Sequence, residues 1–395
     1  MTKQVLIAGG GIGGLAAALA CTRAGWDVRL FERAPEFSEV GAGIQMGPNV
    51  VRVLHRWGLQ TQLQQVAAFP ELLQVRNAMS GSELGVLPLG EHAVRRYGAP
   101  YATIHRADLH RLLLDAVRAQ GHVRLRLNSW VERYVATEHT VTLTMADGLD
   151  VEGDVLIGAD GLWSRVRQLM LKDSEPRVTG HLAYRAMVPQ HSLPPSLRSQ
   201  HITAWMGPNL HMVQYPVRRG EWLNVVVIVH GPTPQDLQEW SHQAYATELQ
   251  TALKGTCSTV RDLIAAIPDW RLWSLCDRPP IQSASQQAQG LVALLGDAAH
   301  PMRPYLAQGA GMAIEDAEQL GRALGVDAVE VALRLQRYAL NRWERCAQVQ
   351  ARSIRNGEIF HAQGLTRWGR DTALRLLGAR LLDLPWLYQG GDPVY

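Results

Sequence analysis

The sequence predicts an α/β chain with a Rossmann-like parallel sheet, a separate antiparallel β layer and a helical C-terminal segment. Three observations carry this prediction. Residues 1–35 read strand, glycine turn, helix, strand. Two later apolar runs, 154–158 and 292–295, end in Gly-Ala-Asp-Gly and Gly-Asp-Ala-Ala. Between 182 and 229 the pattern changes to short strands punctuated by Pro and Gly, and from 329 onward it is helical and rich in arginine.

The elements follow in order. Val5-Leu6-Ile7-Ala8 is continuously apolar, as a strand buried on both faces requires. Residues 15–23 are rich in Ala and Leu and stop at Gly25, which predicts a helix. Val28-Arg29-Leu30-Phe31 is the next strand, closed by Glu32, and completes a βαβ unit. Helical spacing covers 108–119, and 123–127, 131–136 and 141–145 then alternate as strands, with Asp147-Gly148 a turn. Strands at 184–188, 202–206, 211–217 and 223–229 predict the antiparallel layer, and 312–324 a helix. These readings divide the chain into a discontinuous nucleotide-binding domain (1–175 and 277–325), a substrate domain (176–276 with part of 70–100) and a helical segment (326–395).

Composition narrows the function classes. The 395 residues are 47% hydrophobic and 19% charged, with a formal charge of +3, which suits a globular chain and gives no basis for a nucleic-acid partner. Cys21, Cys257, Cys276 and Cys346 are scattered without metal spacing, pointing to a reducing compartment, no disulfide framework and no structural metal. No apolar run reaches membrane-spanning length and the N-terminus lacks a signal-peptide pattern, so a cytoplasmic protein is expected.

The glycine turn carries the first chemistry. Gly9, Gly11 and Gly14 form G-x-G-x-x-G: the first permits the tight turn, the second lets backbone approach a pyrophosphate, and the third lets helix pack on strand. Glu32 ends the second strand where an acid bonds ribose hydroxyls. The motif alone does not separate NAD from FAD. Gly158-Ala159-Asp160-Gly161 with Ser164, Val166 and Arg167, and Leu295-Gly296-Asp297-Ala298-Ala299-His300-Pro301, favour FAD. They end buried strands, and Asp297 is placed to bond a ribityl chain. Each aspartate taken alone also suits a helix N-cap.

Together these motifs resemble the class A flavoprotein monooxygenases, the aromatic hydroxylases that act on p-hydroxybenzoate, salicylate, 3-hydroxybenzoate and 6-hydroxynicotinate. The likeness runs to about residue 324 and is closest to the salicylate, 3-hydroxybenzoate and hydroxynicotinate branch. Val40-Gly41-Ala42-Gly43-Ile44-Gln45, His105-Arg106-Ala107-Asp108-Leu109 and His211-Met212-Val213-Gln214-Tyr215-Pro216-Val217 support that branch. The resemblance implies a p-hydroxybenzoate-hydroxylase-like FAD fold in which Gly9, Gly11 and Gly14 cradle the pyrophosphate, Glu32 holds the adenosine ribose, and Arg33 lies near the adenine half. Ala42 and Gly43 would line the flavin, Arg106 would reach the ribityl or phosphate region, Asp297 would bond the ribityl chain, and Gly309 and Gly311 would bring a helix N-terminus to the isoalloxazine ring. For Arg106 the plain alternative is a surface ion pair with Asp108.

The implied reaction is flavin reduction by transient NADH or NADPH, O2 addition at the flavin C4a, and hydroxyl delivery from that hydroperoxide to an electron-rich ring. There is no second G-x-G-x-x-G for a separate nicotinamide domain. His211 and Tyr215, at i and i+4 on a strand, share one sheet face and are the candidates for activating a substrate phenol, against the alternative of sheet packing. Tyr305, Gln308 and Arg303 are expected at the substrate, with Arg185 a second carboxylate-binding candidate. Ile281-Gln282-Ser283-Ala284-Ser285 stands where many relatives carry a tryptophan, so a differently shaped pocket is expected there. Ten arginines against three acids between 334 and 380 suggest a solvated helix face or a contact surface of a homodimer, with anion binding the less expected use. An FAD-dependent dehydrogenase or reductase without oxygen insertion, and a non-catalytic flavin sensor, remain the competing readings.

Overall fold

A computed structural model describes residues 3–37, 42–232, 242–244 and 246–391. Val40 and Gly41, which open one of the family-like segments, lie outside the described residues.

A six-stranded sheet runs in the order Ala288–Gln289, Val292–Leu294, Val155–Gly158, Gln4–Ala8, Asp27–Phe31, Val123–Arg126. All neighbours are parallel except the first pair. The central strand shows why its sequence is apolar without alternation. Val5 and Ile7 pack into a core with the helices Ile12–Arg23, Arg106–Arg118 and Gly309–Leu324. Leu6 and Ala8 pack on the opposite face against Val141, Leu143 and Met145. That second cover is a three-stranded antiparallel sheet, Asp150–Gly153, Val141–Met145 and Val131–Ala136. The expected strand at 123–127 therefore belongs to the parallel sheet and not to this meander. Local alternation could not distinguish the two, because the choice is made by pairing with Asp27–Phe31 across a helix.

The antiparallel layer is larger than expected. Its eight strands run His242–Ala244, Trp270–Asp277, Arg177–Pro189, Trp222–His230, Leu210–Val217, Ile202–Gly207, Leu72–Asn77, Glu83–Pro88, all neighbours antiparallel except Ile202–Gly207 and Leu72–Asn77, which are parallel. The four expected strands sit together at its centre, while the outer pairs come from distant sequence. Helix Gly309–Leu324 begins three residues before the expected 312, at the two glycines that follow Gln308.

The C-terminal segment is a 30-residue helix, Val331–Phe360, followed by Gly364–Leu377 and two short turns of helix. It is not a merely solvated arginine face. Arg334, Arg342 and Arg370 are buried, and Arg342 and Arg345 reach acids of helix Gly309–Leu324. Among the described residues no helix is long and apolar enough to cross a membrane.

Candidate functional site

The G-x-G-x-x-G turn is built by sterics. Gly9 holds φ +103°, and a Cβ there would sit 2.4 Å from the Ala159 carbonyl oxygen; one on Gly14 would sit 1.9 Å from the Gly9 carbonyl. Helix Ile12–Arg23 starts at Gly11 with no side-chain cap and no acid in its first turn, so its leading N–H groups are left for a ligand. The Glu32 carboxylate accepts from Gly10 N (2.6 Å) and Ala34 N (2.8 Å), and each oxygen retains lone-pair capacity for a further donor. Gly9, Gly11, Glu32, Arg33 and Trp130 line a cavity of about 210 Å3, and the Arg33 guanidinium lies 5.5 Å from the Trp130 ring centre. Glycines that only backbone can fill, an uncapped helix end and a ribose-height acid fit the ADP half of FAD.

Asp160 takes the capping alternative. Its carboxylate accepts from the Ser164 hydroxyl and from Arg165 N and Val166 N, and so supports Ser164, the N-cap of helix Arg165–Leu171, whose hydroxyl accepts from Arg167 N. Arg167 of the same motif is buried and donates to the Ala298 and Ala299 carbonyls at 3.1 and 2.6 Å, and to Asp173 at 2.7 Å. This motif thus fastens one loop of the site to the other.

Trp163 is shared by the ADP-side cavity and a second one of about 260 Å3, so the two are neighbours along one groove. Ala42, Gly43, Arg106, Asp297, Gln308 and Gly309 line the second cavity. Asp108, the alternative partner of Arg106, pairs with Arg218 at 3.0 Å. Gly43 N donates to Asn224 Oδ1 at 2.7 Å, and its missing Cβ is needed because the Tyr215 ring lies 2.5 Å from where that atom would be. Helix Gly309–Leu324 starts at the cavity without a side-chain cap. Gly309 is part of the lining; Gly311 instead makes room for Val50 and the Gln308 amide. Gln308 is buried and accepts from Asn49 at 3.1 Å.

The far wall is strand Leu210–Val217, which presents His211, Val213 and Tyr215 to this cavity. Arg185 also lines it, its guanidinium 3.6 Å from the Trp273 ring centre. Arg303 reaches the same cavity but is tied through Nε and Nη2 to Asp277, both at 2.7 Å, so its expected carboxylate-binding role meets an existing ion pair. Tyr305 turns away. It lines an adjoining apolar cavity of about 490 Å3, and its hydroxyl meets His181 Nδ1. None of residues 281–285 lines either cavity, and Ser283 and Ser285 bond each other at the surface.

Sequence reasoning missed a histidine cluster behind His211. His211 Nδ1 lies 2.7 Å from His361 Nε2, and His361 Nδ1 lies 2.8 Å from His230 Nε2. His181 stacks on His230 at 4.4 Å between ring centres, and the two are paired across adjacent strands. Burial first, then the neighbouring imidazoles, push His211 down to about 3, His361 to about 2 and His181 to about 4. All three are neutral at pH 7. Burial raises the Tyr215 phenol, which therefore stays protonated.

A second buried cluster lies beneath the Asp297 loop and is charged. His300 Nε2 donates to Asp316 Oδ2 at 2.5 Å, which also accepts from Gly296 N at 3.0 Å. Arg342 donates to Asp316 (2.7 Å) and Glu315 (2.9 Å), and Arg345 grips Glu315 at 2.7 and 2.9 Å. Burial opposes charge on His300, yet Cys346 and Asp316 hold it well above the ordinary histidine value. Burial likewise opposes the Glu315 carboxylate, but Arg345 and Arg342 hold it down to about 2.

The comparisons agree with this geometry. The FAD binding domain family model matches residues 2–353. A 3-hydroxybenzoate 6-hydroxylase of Polaromonas naphthalenivorans is 40% identical over 391 residues, covering 97% of this chain and 95% of its own. A 6-hydroxynicotinate 3-monooxygenase of Bordetella bronchiseptica is 39% identical over 352 residues, covering 88% of this chain and 89% of its own. Among solved structures, a salicylate hydroxylase substrate complex superposes with a TM-score of 0.82 at 27% identity, covering 98% and 95% of the two chains. With the glycine cradle, the aspartate loop at the second cavity and these relatives in agreement, the chain belongs to the FAD-binding-domain family, in its aromatic-hydroxylase branch.

Proposed function

We propose that this protein is an FAD-dependent monooxygenase that uses NAD(P)H and O2 to hydroxylate a small hydroxylated aromatic acid of the 3-hydroxybenzoate, salicylate or hydroxynicotinate type. The observation that carries this reading is the pairing of walls around one cavity: Asp297 and Gly309 on the cofactor side, His211 and Tyr215 on the other. The bound flavin supplies reduction and oxygen activation. The chain supplies the rest.

The glycines at 9, 11 and 14 take the pyrophosphate, Glu32 the ribose, Arg33 the adenine side, and Arg106 and Asp297 the ribityl chain. Ala42, Gly43 and Gly309 present backbone to the ring system. His211, kept neutral by burial, accepts the substrate's phenolic proton, which raises the electron density of the ring to be attacked, and Tyr215 donates a hydrogen bond that stabilises the resulting phenolate. Arg185, which lines the cavity opposite the cofactor side, receives the substrate carboxylate. Gln308 orients the substrate from the loop side.

The test is a panel of salicylate, 3-hydroxybenzoate and 6-hydroxynicotinate with labelled O2. Stimulated NAD(P)H oxidation with label in the aromatic product is the expected result. NAD(P)H consumed with no oxygen incorporated from any member would favour the reductase reading.

A further inference from the structure

We propose that His211, His361 and His230 form a proton relay that carries the substrate's phenolic proton from the closed cavity to solvent and returns it at the end of turnover. This rests on the hydroxylase reading and deepens it. His211 and His361 are buried, whereas His230 is exposed at the end of strand Trp222–His230. The two nitrogen–nitrogen separations, 2.7 and 2.8 Å, are both hydrogen bonds.

The connectivity fixes the tautomers. A neutral imidazole has one donor and one acceptor, so the chain can be satisfied only with all three rings in the same sense. In the outward sense His211 Nδ1–H donates to His361 Nε2, and His361 Nδ1–H donates to His230 Nε2. His211 Nε2 is then an acceptor on a side chain that lines the cavity, and His230 Nδ1–H is a donor at the exposed end. When the phenol O–H bond breaks, its proton goes to His211 Nε2. The Nδ1 proton of His211 passes to His361 Nε2, that of His361 passes to His230 Nε2, and that of His230 passes to water. One proton enters, one leaves, and each ring ends neutral in the opposite tautomer. The reverse passage, before product leaves, reprotonates the product phenolate and restores the starting tautomers without any ring rotation.

Two features favour transfer over storage. The reaction needs a dry cavity, so the proton must leave through protein. Burial makes each ring a poor resting place for charge, and repulsion adds to it at His211, from His181, and at His361, from His211, His181, His230 and Arg370. No carboxylate hydrogen-bonds to the three relay rings among the described residues; Tyr305, His181 and Phe360 pack around them. His361 and His230 are thus positioning residues that act through His211.

The test mixes oxidised, FAD-loaded protein with whichever member of the panel wild type turns over, in weak buffer with a pH-indicator dye. Wild type should release a proton on binding. His361→Leu should slow that release ~10-fold or more, with added imidazole restoring it, while FAD content and substrate-free flavin reduction stay normal. His230→Gln, at the surface, should show a smaller slowing that is also rescued. Wild-type release rates in both variants would overturn the relay while leaving the hydroxylase reading intact. So would slowing that imidazole does not rescue, absence of proton release in wild type, or a stoichiometric divalent metal in the purified protein. If wild type turns over no panel member, the reading and the relay fall together.

Discussion

Helix Val331–Phe360 packs against two histidine sites of opposite character, one along its middle and one at its C-terminal end. Towards the middle of the helix, Arg342 and Arg345 meet Glu315 and Asp316, and His300 beside Asp316 is pushed towards the charged form. At its end, His361 meets His211 and His230 with no hydrogen-bonding carboxylate among the described residues, and each ring is pushed towards the neutral form. The same side chain thus serves two purposes. A buried carboxylate turns histidine into a fixed ion that clamps the loop carrying Asp297, and its absence leaves a chain of neutral rings able to pass protons.

The largest expected effect breaks the charged end. Arg342→Leu leaves Asp316 without its fully buried guanidinium partner and weakens the Glu315 pair, and should cost roughly 3–5 kcal/mol of stability by chemical denaturation. His361→Leu, which strands only neutral groups, should cost about 1–3 kcal/mol. Equal losses would mean that the two clusters do not differ as described.

Next comes the reacting face. Tyr215→Phe keeps the ring against Gly43 but removes the hydroxyl, and should slow hydroxylation by roughly 100-fold or more with substrate-free flavin reduction unchanged. A uniform loss of both rates would reduce Tyr215 to packing.

Acid stability separates the ends by pH window. The imidazoles have folded pKa values below the ordinary 6.5, so the unfolded chain binds more protons below that value. Stability therefore falls as pH drops through about 6.5, with a slope of up to ~1.4 kcal/mol per pH unit for each ring kept neutral. Glu315, held to about 2 against an ordinary 4.5, adds its loss only below about pH 4.5. His361→Leu should flatten the slope between pH 6.5 and 5; an unchanged slope would place that proton uptake elsewhere.

The smallest effect is at the adenosine end. Glu32→Gln replaces one accepting oxygen by an NH2 that cannot accept from Gly10 or Ala34, and should weaken FAD binding by ~0.5–1.5 kcal/mol. An unaltered FAD dissociation constant would move the ribose contact to another group.

How much of this was readable in the sequence follows the same division. The cofactor half announced itself because backbone does the binding: Gly9 and Gly14 have no room for a Cβ, and that constraint is written in six consecutive residues. The central strands were readable because burial on both faces leaves an uninterrupted apolar run. The i, i+4 spacing of His211 and Tyr215 correctly put both on one face of one cavity. His361 gave no local signal, since its partner His211 is 150 residues away and the contact exists only once the long helix folds onto the sheet. The arginine-rich run misled for a related reason. Composition counts charges but does not say which face of a helix meets Glu315 and Asp316. Arg303 and Tyr305 were placed near the right loop, but side-chain direction there is set by Asp277 and His181, neither adjacent in sequence.

The most direct test of the account is the ratio of hydroxylated product to NAD(P)H oxidised, with hydrogen peroxide counted alongside, in wild type and in His211→Ala. Nearly full coupling is expected in wild type, with the new oxygen drawn from O2. In His211→Ala flavin reduction is expected at the normal rate but hydroxylation slowed roughly 10²–10⁴-fold, the lost product replaced by peroxide. A His211→Ala variant that stays fully coupled at the wild-type rate, or a wild type that oxidises NAD(P)H without oxygen entering any aromatic acid, would contradict the account.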